Sequence, residues 1–365
     1  MLFSFKQKSQ DFIVEEELPF QLKHKWDAFF VYFEKRNLTT MEVVDFLCKK
    51  LNISRMTLGI AWLKDKDAIT RQWISIYKSA LSKLWWERAF LATLDEVTKI
   101  LKTDWNDKPI WMTSDIKNRF YIRLRANKKL SQLERQSTDE IMSDLFESWV
   151  PNVFGNQRFG IEERNRKMWK QMLDWELKIK EKFEAKFKLQ AYASRLFNQY
   201  VIIRTKKELE LLDGDIVQVE LADEKWVSQQ LCIYNKKDNT IQKIQEKWDW
   251  KDVISTPKII SESTKYNIDM NADITGPVSG FDLLMPDIKT ESWKIEKSFL
   301  DAHWLTKEKM KIFQDYKIFW IRRKLRSYPQ NARYKFDWED LLIEFSLWAW
   351  EYASVLIDAL LKRLD

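Results

Sequence analysis

Six glycines in 365 residues constrain this chain more than any single motif does. An average chain carries about 7% glycine, so roughly 25 would be ordinary at this length. Glycine takes left-handed backbone without a Cβ clash, and tight turns depend on it. A compact fold of this size therefore lacks its usual turn chemistry. Tryptophan runs the other way, with 19. Several stand amid charges where turns are expected: Lys25-Trp26-Asp27, Asp104-Trp105-Asn106-Asp107 and Lys247-Trp248-Asp249-Trp250-Lys251-Asp252. Read as glycine, each becomes an ordinary turn. The pattern predicts that many of these tryptophans stand where the natural product has glycine. Translating a gene that uses UGA for glycine with UGA read as tryptophan gives this result.

The remaining composition is that of a globular protein, 45% apolar and 32% charged. The length suits two domains. No apolar run of about 18 residues is present, so no membrane span is expected. The first residues, Met-Leu-Phe-Ser-Phe-Lys-Gln-Lys, hold no continuous apolar stretch of the kind that directs secretion, and the cytoplasm is the default compartment. Two cysteines, Cys48 and Cys232, and two histidines, His24 and His303, make neither a zinc site nor a disulfide framework. A net charge of +7 suits a polyanionic partner such as nucleic acid. A lysine-rich surface of no particular function gives the same number.

Periodicity predicts an α+β chain. Phe12–Val14, Phe29–Phe33, Ile69–Tyr77, Arg119–Arg125 and Leu341–Phe345 read as strands. Helices are predicted from Thr40 to Leu51, Glu87 to Leu101 and Tyr352 to Leu364. Another is predicted to open at the Ser137-Thr138-Asp139-Glu140 capping box and end near Trp149. Residues 161–210 read as charged helix, 211–260 as short strands, 261–295 as loop, and Lys307–Arg326 as helix.

No phosphate-binding glycine loop and no dinucleotide fingerprint is present. With two histidines, Ser-His-Asp or Cys-His catalysis is disfavoured. What remains is carboxylate chemistry, including aspartate as nucleophile at a glycosidic carbon. Asp65 stands out, set between Lys64 and Lys66; cations on both sides favour its ionised form.

Several segments, in order along nearly the whole chain, resemble the TruD family of tRNA pseudouridine synthases. Lys6-Gln7-Lys8-Ser9-Gln10-Asp11-Phe12-Ile13-Val14-Glu15 resembles K-x-x-P-E-D-F-x-V-x-E, with Ser9 for proline and Gln10 for glutamate. Trp62-Leu63-Lys64-Asp65-Lys66-Asp67-Ala68 through Gln72 resembles G-x-K-D-K-x-A-x-T-x-Q. Asn118-Arg119-Phe120 is similar to the last three positions of G-N-x-F, with Lys117 in the glycine place. Trp149-Val150-Pro151-Asn152-Val153-Phe154-Gly155 through Gly160 resembles G-V-P-N-Y-F-G-x-Q-R-F-G. The run from Phe345 to Ser354 is similar to F-x-L-x-x-G-S-[FY]-A-T. Trp62, Trp149 and Trp350 fall on glycine positions of the family, and Trp169 and Trp320 are placed there too. Trp73, within a strand pattern, reads as a true tryptophan.

The resemblance implies isomerisation of a tRNA D-arm uridine, position 13, to pseudouridine. It implies no cofactor, no metal, no membrane, tRNA as partner and a monomer. Asp65 matches the catalytic aspartate. Asn118, Phe12, Phe120 and Tyr352 match residues around the uridine, and Lys6 a basic residue beside them. Arg322 and Arg323 are candidates for backbone phosphate. The implied fold is a discontinuous pseudouridine synthase core, residues 1–148 and 320–365, a mixed sheet with flanking helices. A TRUD-type α+β domain, residues 149–319, is inserted into it, and RNA is expected between the two. A non-catalytic tRNA-binding or RNA-folding protein on the same scaffold is the alternative. A carboxylate glycosidase fits the charge and the Asn118 and Phe120 motif less well.

Overall fold

The computed structural model describes the chain apart from residues 26, 65, 67, 85–86, 111–115, 156–158, 160–167, 170, 175, 178, 180, 224–225, 246–253, 256–257, 260–264, 268–271, 304 and 365. The class is α+β, as the sequence pattern predicts. The chain divides into two compact units, Met1–Trp149 with Tyr328–Asp365, and Val150–Ser327. No described helix is long and apolar enough to cross a membrane.

The first unit is built on a mixed sheet. Its strands lie in the order Gln330–Asp337, Asp340–Trp348, Lys117–Ala126, Phe12–Glu17, Ile69–Tyr77, Ala28–Lys35 and Lys99–Asn106. Ala28–Lys35 reads AFFVYFEK and is buried along most of its length, as a central strand covered on both faces must be. One face carries Phe29, Val31, Phe33, Ile74 and Ile76 against Val43, Val44 and Leu47 of the helix Thr40–Leu51 and Phe90 and Leu94 of the helix Glu87–Asp95. Each fully buried side chain of this kind stabilises the fold by about 1.5–3 kcal/mol. The helix Thr40–Leu51 begins at a reciprocal box between Thr39 and Glu42 and stops where Asn52 turns left-handed. On the other face, Ala28, Phe30 and Trp73 pack with Ala61, Ile110 and Ile116.

The second unit sets the helix Lys182–Thr205 beside the strand Asp273–Val278. A Cβ on Gly276 would lie 2.7 Å from the Tyr200 ring, so this contact needs glycine. The sheet runs Lys258–Ile259, Thr240–Gln245, Trp226–Asn235, Ile216–Asp223, Asp273–Val278, Ile321–Lys324. Its interior holds two fully buried ion pairs. Arg204 meets Asp215 at 2.8 Å, and Arg322 meets Glu296 at 2.8 Å.

Several elements end elsewhere than periodicity predicts. The helix from Glu87 stops at Asp95, because Lys99–Asn106 pairs with the sheet edge at Ala28–Lys35. The capping box that opens the next helix is Ser131 with Glu134, and the helix is Gln132–Glu147. Thr138 lies buried inside it, its hydroxyl donating to Glu134 O. The helix from Lys307 ends at Asp315, and Lys317 at φ 51° breaks it. The expected loop at 261–295 contains the strand Asp273–Val278 and the start of the helix Glu291–Ala302. Part of the charged 161–210 segment lies outside the described residues; its described helix is Lys182–Thr205.

The glycine shortage is visible in the backbone. Among the described residues, left-handed φ falls on twelve non-glycine positions and on one glycine, Gly214. Four of the twelve are asparagines, Asn37, Asn52, Asn239 and Asn331, which tolerate this region best. Trp338 does not belong to that class. It stands at φ 58° in the two-residue loop joining Gln330–Asp337 to Asp340–Trp348, with 91% of its surface exposed. Positive φ at the first position of such a loop is where a type II′ hairpin takes glycine. Trp105 departs from its expected turn: it is buried in a strand, its ring 5.0 Å from that of Phe29. Trp26, Trp248 and Trp250 lie outside the described residues.

Two outcomes follow. Trp338→Gly removes a left-handed Cβ and gives up almost no packing, so it is expected to stabilise the chain by about 1 kcal/mol. Thermal denaturation should show a rise of a few degrees, and an unchanged or lower midpoint would contradict it. The second outcome concerns Asp11. Burial alone would raise its carboxyl, but hydrogen bonds from Arg125 and the Lys8 amide outweigh that and hold it below the usual carboxylate range. A lowered carboxyl contributes stability above its unfolded pKa and loses it as pH falls through the folded one. Asp11→Asn should therefore lower the melting temperature at pH 7, with the gap closing below about pH 4. A gap constant with pH would contradict the assignment.

Candidate active site

Strand register assembles most of the predicted site on one face of the first unit's sheet. Glu16 pairs with Asn118, which pairs with Leu347; Val14, Phe120 and Phe345 form the next row; Phe12, Ile122 and Ile343 the one after. Side chains opposite one another across strands share a face. Asn118, Phe120 and Phe12 are all buried. The Phe12 and Phe120 ring centroids are 5.9 Å apart, and Phe120 stacks on Phe345 at 5.4 Å. Lys6, at φ 57°, holds its ammonium 4.0 Å from the Phe12 ring centroid. That is cation–π distance.

The ammonium of Lys64 lies at the end of this row. It sits 3.0 Å from Glu16 Oε2 and donates to Asn118 Oδ1 at 2.5 Å. The Lys64 and Glu16 side chains are 5% and 1% exposed, and a buried pair of this kind needs partners on both sides to persist. Glu16 spends its other oxygen on the Trp73 amide, 3.1 Å away. The Lys64 amide donates to Thr40 Oγ1 at 2.9 Å, and Thr40 donates to Gln72. The buried Lys35 ammonium donates to Lys64 O at 3.4 Å. Residue 64 is thus held by its amide, its carbonyl and its side chain.

Asp65 and Asp67 lie outside the described residues. The two lysines flanking Asp65 are described. Lys64 turns to Glu16, and Lys66 lies 3.3 Å from Glu42. Each ammonium therefore has a carboxylate beside it.

Tyr352 is half-buried and precedes the helix Ala353–Leu364, just beyond the strand that flanks Asn118. Trp62 packs edge-on against Trp350, ring centroids 4.3 Å apart. Glu16 was not singled out in the sequence. Its signal was the acid closing the Phe-x-Val-x-Glu pattern, an inward position on a strand where a carboxylate needs a reason.

Arg322 and Arg323 belong to the second unit and lie on a strand, not the predicted helix. Arg322 makes two bonds to Glu296, two to Thr275 and one to Leu284 O. Its side chain is 0% exposed, so it cannot meet a phosphate as placed. Arg323 bonds Asn152 and stacks 4.2 Å from the Phe154 ring centroid, tying down the Val150–Phe154 segment. Burial pushes the Glu296 carboxyl up against the pull of Arg322. Arg322→Met, which strands Glu296, should cost about 3–5 kcal/mol in a urea titration. A change within 1 kcal/mol, with a shallower salt dependence of RNA binding, would restore the phosphate role.

Comparison with known proteins bears on the same segments. A family model described as tRNA pseudouridine synthase D (TruD) matches residues 3–177. A protein named tRNA pseudouridine synthase D from Nitratiruptor sp. is 31% identical over 220 residues, 60% of this chain and 58% of the relative. One so named from Wolinella succinogenes is 35% identical over 204 residues, 56% of this chain and 54% of the relative. These matches thus span little more than half the length of either relative. A third so named, from Haemophilus influenzae, is 26% identical over 99% of this chain and 94% of its own. A solved structure from Methanosarcina mazei, named for TruD, superposes with a TM-score of 0.59 at 18% identity, covering 99% of this chain and 93% of its own. It speaks for the fold. Over residues 3–177 the chain is similar to the TruD family.

Proposed function

We propose that this chain isomerises uridine to pseudouridine in tRNA, at a D-arm uridine (position 13 by family resemblance), with Asp65 as the catalytic residue. The observation that carries the reading is the row of Lys6, Phe12, Phe120 and Asn118 on one sheet face, ending at Lys64, the residue before Asp65. Aromatic faces suit a base taken out of its stack. Asn118 supplies an amide that can read or orient it. The reaction breaks the N1–C1′ bond, turns the uracil and forms C5–C1′; the C5 proton is then lost and N1 takes up a proton, so the product is an isomer of the substrate. An ionised carboxylate serves either opening, attack at C1′ or removal of the 2′ proton. Met1–Trp149 with Tyr328–Asp365 would be the catalytic core and Val150–Ser327 the inserted domain; residues 320–327, expected in the core, belong to the second unit. The enzyme would work as a monomer in the cytoplasm, where tRNA is processed, without cofactor or metal.

The second reading is a tRNA-binding or RNA-folding protein that needs no working Asp65. Asp65→Ala separates them. The first reading expects loss of pseudouridine formation by at least about 10⁴-fold with tRNA affinity nearly unchanged. Isomerisation that survives the substitution would remove Asp65 from the chemistry.

A further inference from the structure

We infer that Glu16 and Lys64 are positioning residues that fix the polarity of the Asn118 amide, so that its NH2 is the end offered to the uridine. The inference rests on the proposed isomerase reading. Lysine has three donors and no acceptor. The Asn118 atom 2.5 Å from Lys64 Nζ must therefore be oxygen, and the amide nitrogen faces away from the lysine. An isolated asparagine amide can flip at little cost. This one is locked by a charge that is itself locked. The Lys64 ammonium, 5% exposed, lies against Glu16, whose carboxylate is tied to the Trp73 amide. The chain of contacts runs from the strand Ile69–Tyr77, through Glu16 and Lys64, to Asn118. Lys64 is also held at its amide by Thr40 and at its carbonyl by Lys35, so the residue that fixes the Asn118 amide is itself fixed along its backbone.

A merely structural ion pair makes a different forecast from a positioning one. Removing one partner of a buried pair destabilises a protein, while replacing both with neutral groups of similar shape restores much of the loss. Lys64→Met, the double variant Glu16→Gln with Lys64→Met, and Asp65→Asn would be compared with the parent, all as full chains. Melting temperature, tRNA affinity and single-turnover pseudouridine formation on an unmodified tRNA transcript would be measured for each. Lys64→Met is expected to melt lower and to react about 10²-fold more slowly, as a misplaced site group does, with tRNA affinity within a few-fold of the parent. The double variant should recover most of its melting temperature and stay slow. Recovery of rate together with melting temperature would overturn the inference, since the pair would then serve only the fold.

Asp65→Asn separates the two failures. If it is inactive while the double variant is fast, only the positioning role falls. If the parent forms no pseudouridine, the isomerase reading falls and the positioning role with it; if Asp65→Asn keeps full activity, Asp65 leaves the chemistry while the isomerase reading stands. A third comparison closes the case: in an Asn118→Ala background, adding Lys64→Met should change the rate little, because the two act in series. A further 10²-fold loss there would contradict the inference.

Discussion

The ammonium of Lys64 is the group on which the rest of the site depends. A buried lysine far from carboxylate or carbonyl would cost several kcal/mol of lost hydration. Here Glu16 supplies the counter-charge and Asn118 the acceptor. That requirement sets where two separate strands and a loop must meet. Phe12–Glu17 must bring Glu16 beside Asn118 on Lys117–Ala126, and the loop after Leu58–Ile60 must carry Lys64 to both. A one-residue slip in the register would turn Glu16 to the opposite face and leave the ammonium stranded. The aromatic row then follows from the same register without further adjustment.

The opposite face of this sheet solves its electrostatics differently. Arg71 bridges Glu15 and Glu34, Arg119 meets Glu344, and Arg123 meets Asp337 and Asp340. These pairs are partly exposed, so water shares in the solvation, and each contributes modestly to stability. Their role is better read as fixing the register between neighbouring strands. The Lys64 group is different because it is dry, and dryness turns a charge pair into a geometric constraint.

Much of this was legible in the sequence. The strands Phe12–Glu17, Ala28–Lys35, Ile69–Tyr77, Lys117–Ala126 and Asp340–Trp348 announce themselves by alternation or by continuous apolar runs. Asn118, Phe120, Phe12 and Lys6 were found through motif likeness, and the fold brings those four together. Boundaries were less legible wherever pairing overrode local pattern, as at Lys99–Asn106, or where a left-handed residue stopped a helix, as at Lys317. The destination of Arg322 was hidden for a physical reason. A sequence shows that an arginine is charged, and only the fold shows that Glu296, distant in the chain, consumes its donors. The sequence places Lys64 beside Asp65, whereas its ammonium reaches across to Glu16 and Asn118 on two strands. The glycine shortage had a direct structural counterpart in the twelve left-handed non-glycine positions, with Trp338 the least suited of them.

The most direct measurement is the location of pseudouridine in an unmodified tRNA transcript after incubation with the purified full-length chain alone. Carbodiimide labelling and primer extension would map it. One new stop at a D-arm uridine, position 13, is the expected result, in buffer containing chelator and no added cofactor. A transcript whose uridines all remain unconverted after binding the protein would contradict the account and leave the scaffold as an RNA-binding one.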